Sequence, residues 1–191
     1  SNKNVAVVSA PFKDHYSTPP ELVLGCPPRQ LIPSYVGVGK QLLVTGAAVA
    51  MDVEWLYSIG GVPLVVLEDL ALGVKAVLSG KEVVSLKDSA TWRHATPTVE
   101  ARKEQLARYV KGCLQIRTLG EQYEDLIREV VFFMRSREQR NEALIQWATS
   151  NEKLDIIETI ISIWDEIIAE GEKMFRENGQ GSHFGEIPLT N

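Results

Sequence analysis

Residues 96–134 decide how this chain folds: they read TPTVEARKEQLARYVKGCLQIRTLGEQYEDLIREVVFFM. Apolar side chains recur there at spacings of three and four: Leu106, Tyr109, Cys113, Ile116, Leu119, Tyr123, Leu126, Val130 and Phe133. That spacing predicts one stripe along a helix, or along two helices broken near Gly112 or Gly120. Thr96 can cap the first free amides. Pro97 suits the first helical position, where its missing amide has no partner to lose.

Downstream, the stripe fails over Arg135–Glu142, RSREQRNE, which predicts a turn or an exposed helical stretch. Ser150-Asn151 offers a new cap, and Leu154, Ile157, Ile161, Trp164, Ile168 and Phe175 restart the pattern. Ile156, Ile160, Ile163 and Ile167 widen this last face beyond a coiled-coil seam. Such a face must be covered on more than one side, by the first half of the chain or by another subunit. Residues 97–117 carry five basic and two acidic side chains, and residues 151–178 three basic and eight acidic. Opposite charge favours pairing of these two helices, although each exposed ion pair contributes only about 0–1 kcal/mol.

Upstream the grammar differs. Residues 1–96 hold most of the prolines, 8 of the 14 glycines and 16 charged residues, against 28 charged residues in 97–178. Val5–Ser9, Leu22–Leu24, Tyr35–Val38, Gln41–Thr45 and Lys81–Leu86 read as short strands. Leu64, Leu67, Ala71, Val74 and Leu78 have helical spacing, ending at Gly80, while Gly46–Ile59 fits either helix or strand. The expected fold class is α+β, a mixed N-terminal half packed on a C-terminal helical hairpin or three-helix unit. The expected organisation is a mixed segment over 1–96, a helical segment over 97–177 and a loose glycine-rich tail over 178–191.

The chain of 191 residues is 45% hydrophobic and 24% charged, the composition of a soluble globular protein, with a net charge of −5 that does not favour nucleic acid. No export signal is read at the start, and two lone cysteines, Cys26 and Cys113, point to a reducing, cytoplasmic setting. The uncharged runs Gln41–Met51 and Trp55–Leu67 are too short to span a bilayer, and Asp52 and Glu54 lie between them.

Few residues suggest chemistry. Ser34–Gln41, SYVGVGKQ, departs from a phosphate-binding loop at both ends, having Ser34 for the first glycine and Gln41 for the hydroxyl residue. His15, His94 and His183 show no zinc-ligand spacing, though His15 or His94 could serve as an acid or base beside Asp14 or Asp88. Cys26 lacks the basic neighbours that would activate a thiol, and Cys113 lies on the apolar stripe. Asp52 with Glu54, and Glu68 with Asp69, are paired carboxylates suited to acid–base work or a cation if buried; on a helix they mark its wet face. Arg128, Arg135, Arg137 and Arg140 could hold a phosphate or an acidic partner, but Glu129, Glu138 and Glu142 are interleaved.

With no constellation complete, no catalytic residue, cofactor or metal is assigned. The expectation is a non-enzymatic interaction or assembly protein, a homo-oligomer or partner-binding chain. Its apolar helical surface centres on Phe132, Phe133, Trp147, Trp164 and Ile167. Two alternatives stand beside it. One is a small enzyme or ligand-binding protein with a site in the N-terminal half, near His15, Cys26 or His94. The other is a membrane-active protein inserting residues 41–67.

Overall fold

A computed structural model describes residues 4–10, 12–15, 44, 48–86, 91–94, 98–130, 134–150 and 152–179. The β-branched run Val5–Ser9 forms β1, the central strand of a three-stranded sheet. It pairs antiparallel with β3 (Val49–Met51), Val7 opposite Met51, and parallel with β4 (Glu82–Ser85), Val8 opposite Val84. A parallel pair needs a long connection between its strands. Here α1 (Val53–Ser58) and α2 (Glu68–Leu78) lie between β3 and β4. A second ladder joins β2 (Phe12–His15) in parallel to β5 (Thr91–His94). The segments carrying β1–β2 and β4–β5 thus pair twice, the second having three more residues between ladders than the first.

The ambiguity of residues 46–59 resolves into both answers. Val49–Met51 extends as strand, and Asp52 then turns the chain by accepting a hydrogen bond from the Trp55 amide at 2.9 Å, capping α1. Asp52 and Glu54 face water, and Trp55 is buried. Of the other expected strands, Leu22–Leu24 and Tyr35–Val38 lie outside the described residues, as does Gln41–Thr45 except Val44, which is buried and not in a strand.

Residues 98–177 hold only helix and turn among the described residues: α3 (Val99–Arg117), α4 (Glu121–Val130), α5 (Arg137–Ser150), a 3₁₀ turn at Leu154–Ile156 and α6 (Ile157–Glu177). The fold is α+β with the helices C-terminal. Thr98 caps α3, accepting from the Ala101 amide at 3.1 Å, two residues beyond the expected Thr96. The helix runs through Gly112 and breaks before Gly120, whose φ of +144° disfavours other residues. The polar run 135–142 opens α5. The Ser136 amide donates to Gln139 Oε1 at 3.1 Å, and the Gln139 amide to Ser136 Oγ at 3.3 Å, a reciprocal capping box. Ser150 does not cap a new helix, because its hydroxyl donates back to the Gln146 carbonyl at 3.0 Å and ends α5.

The most extensive helix contact is between α3 and α6. Lys103 Nζ meets Glu166 Oε2 at 2.7 Å there, the pairing of basic and acidic helices read from sequence. Gly171 lets α6 come so close that any Cβ would collide with Val110. The wide face of α6 is therefore covered from within the chain, by α3 and by α5. No second subunit is needed to explain it.

Candidate active site

Two apolar cores meet at α2. Leu70, Ala71 and Val74 belong to the helical core with Leu106, Cys113 and Trp164, while Leu72 and Ala76 belong to the sheet core with Val7, Trp55 and Val83. A helix packed on both sides exposes little but its ends. At its N-terminal end stand Glu68, on the wet face expected of it, and Asp69, which is half-buried.

The approach to this end is held by α3. The Val66 amide donates to the Oε1 of buried Gln115 at 2.9 Å, and Leu67 packs so closely on Gly112 that a Cβ there would collide with its side chain. The two carboxylates then differ. Glu68 is exposed, whereas Asp69 is half-buried and accepts from the Leu70 amide at 2.8 Å. Positive charge at a helix N-terminus favours both. Asp69 also lies close enough to Cys113 to be felt: burial first, and the Asp69 charge second, push that thiol up to about 12. One carboxylate thus sits half-buried at the start of the helix that both cores share, near the Cys113 thiol.

Other acidic groups in this part of the chain are engaged or fully wetted. Asp52 caps α1, Glu54 and Glu82 are exposed, and Glu124 bonds Arg117 and Arg128. Against a desolvation cost, those two arginines hold the Glu124 carboxyl below its usual range.

A second polar feature is a cleft of about 450 Å³ between α4 and α5, lined by Arg128, Arg135, Gln139, Glu142, Ala143 and Gln146. Only two of the four arginines singled out in the sequence reach it. Arg137 turns to Asp165, with Nη2 to Oδ2 at 2.6 Å, and Arg140 donates to the Arg135 carbonyl at 2.6 Å.

The expected interface does not assemble as a surface. Trp164 and Ile167 are each 1% exposed and lie in the helical core, and Trp147 is partly buried against that core. Phe132 and Phe133 lie outside the described residues, as do Cys26, His183 and the Ser34–Gln41 stretch. Cys113 is a free, buried thiol, as its place on the stripe implies. His15 and His94, far apart in sequence, become partners in register across β2 and β5. No helix among the described residues is long and apolar enough to cross a membrane.

Residues 30–164, more than two thirds of the chain, match the glycosyl transferase family group 2. The chain belongs to this family. No curated protein and no solved structure matches it. The family overturns the expectation of a non-enzymatic assembly protein, and with it protein binding and oligomerisation as the defining activity. That expectation took the apolar helical faces as surfaces, whereas most of them are core. It also weighed Glu68 with Asp69 as paired carboxylates but favoured a wet helix face, because spacing alone cannot show that Asp69 would be half-buried.

Proposed function

We propose that this chain takes part in glycosyl transfer, with Asp69 as the base that activates the acceptor. The family match over residues 30–164 carries this reading. In the reaction an acceptor hydroxyl oxygen bonds to the anomeric carbon of an activated sugar. The bond from that carbon to its leaving group breaks, the electron pair going with the leaving group, and the hydroxyl proton passes to a carboxylate. Among the described acidic groups within the matched stretch, Asp69 is suited to the proton. It is half-buried and stands at the start of a packed helix.

A saccharide acceptor, and not nucleic acid, fits a chain of net charge −5. A cytoplasmic setting is part of the same reading, supported by the reduced, buried Cys113.

The test is sugar transfer from activated donors by the protein carrying this chain. Asp69→Asn keeps an oxygen for the Leu70 amide but cannot take the proton, so kcat should fall by about 10²–10⁴-fold with an unchanged circular dichroism spectrum. Glu68→Gln should change it far less. Near-native turnover in folded Asp69→Asn would remove Asp69 from the role. Failure of the folded native protein to transfer sugar from any activated donor would remove the activity itself.

A further inference from the structure

Leu67, at the cap position of α2, makes no side-chain hydrogen bond to the helix it opens. The Leu70 amide turns to the carboxylate of Asp69, and the Ala71 amide to the Leu67 carbonyl at 3.0 Å. The hold on the chain just before this turn comes from 49 residues further along the sequence, where Gln115 Oε1 accepts from the Val66 amide at 2.9 Å. We propose that Gln115 is a positioning residue for Asp69, holding through the Val66 backbone the turn that carries the carboxylate.

Three observations carry this. First, Gln115 is 7% exposed, although glutamine side chains are mostly solvated. Burying an amide is costly unless it is hydrogen-bonded, and this one bonds the backbone two residues before α2 begins. Second, Gly112 lies three residues earlier in α3, on the same face. A Cβ there would collide with Leu67, so α3 holds Val66 by a hydrogen bond and Leu67 by close packing. Third, Leu70 and Ala71, which follow Asp69 at once, are buried in the core that α3 lines with Cys113 and Ile116. The turn is thus clamped on both sides of Asp69, ahead of it by Gln115 and behind it by packing.

The proposal rests on the glycosyl-transfer reading with Asp69 as the base. A base works only within hydrogen-bond reach of the proton it takes, and a misplacement of about 1 Å costs about 10²-fold in rate. Gln115 acts at one remove, through the backbone, so its loss should show in turnover more than in substrate binding.

A double-mutant cycle on sugar transfer tests it. Gln115→Met keeps the length of the side chain and removes the acceptor. In the folded protein it should lower kcat by about 10–10²-fold, with KM nearly unchanged. In the Asp69→Asn background the same change should cost nothing further, because the group it positions is already gone. A residue that merely stabilised the fold would lower kcat alike in both backgrounds. Lys103→Ala, which breaks a contact of α3 with α6 instead, should leave kcat unchanged. If Gln115→Met loses its circular dichroism spectrum, Gln115→Asn withdraws the oxygen by one methylene and gives the same comparison. Native kcat in a folded Gln115 variant, or an equal loss in the two backgrounds, would overturn the proposal. Near-native turnover in Asp69→Asn alone would remove the base on which it rests.

Discussion

The Cys113 thiol is 1% exposed, on the face of α3 that receives α2, beside the glycine that lets Leu67 close in. Burial, with the Asp69 charge in second place, raises it from 9.0 to about 12. Between these values the unfolded chain loses a proton that the folded chain keeps. Stability is therefore full below about pH 9 and falls as pH rises toward 12. In a Cys26→Ser background, Cys113 should resist alkylation in native buffer up to about pH 9 and react at once in urea. Rapid native alkylation would mean that the seam between α2 and α3 opens readily. The position on the apolar stripe already reads as core in the sequence. Asp69 as the neighbouring charge does not, because the two residues meet only when α2 docks on α3.

Helix ends show how local rules and packing share the work. At the end of α2, Gly80 adopts φ of +73°, its amide donates to the Val77 carbonyl and the Lys81 amide to that of Ala76 at 2.8 Å. This paired closure needs a left-handed residue, which glycine supplies without steric cost, so the end of α2 is legible in sequence. The end of α5 uses the same closure. The Lys153 amide donates to the Ala148 carbonyl at 2.8 Å, but the left-handed residue is Glu152, with φ of +56°. A side chain in that region costs about 1–2 kcal/mol, so nothing in the residue type announces the turn. Ser150-Asn151 suggests a helix start there instead. Glu152→Gly should stabilise the fold by about 1 kcal/mol, read as a higher urea midpoint with unchanged slope. A lower midpoint would show that the Glu152 side chain contributes more than the strain it imposes.

Over the whole molecule, α2 belongs to both cores, so sheet and helices should unfold together. Leu70 is 2% exposed in the helical core and Leu72 2% exposed in the sheet core. Leu70→Ala and Leu72→Ala should each cost about 2–5 kcal/mol, according to how far each site collapses. Each should also shift a single transition detected both by tryptophan fluorescence and by circular dichroism. Trp55 lies in the sheet core and Trp164 in the helical core, so fluorescence reports on both. Separate transitions for the two variants would mean that α2 does not couple the cores.

The sequence by itself determined the α+β class, the helical character beyond residue 97, the strand Val5–Ser9 and the matching of a basic helix to an acidic one. These follow from period, charge and the backbone limits of proline and glycine, all local properties. What covers the wide face of α6 was a tertiary decision. A helix face records that it will be buried but not against what, and α3 and α5 cover it inside the chain. The same is true of Asp69, half-buried at the start of the helix that both cores share, and of the register that sets residue 15 opposite residue 94. Groups distant along the chain become neighbours only through packing and strand register, and no local pattern encodes either.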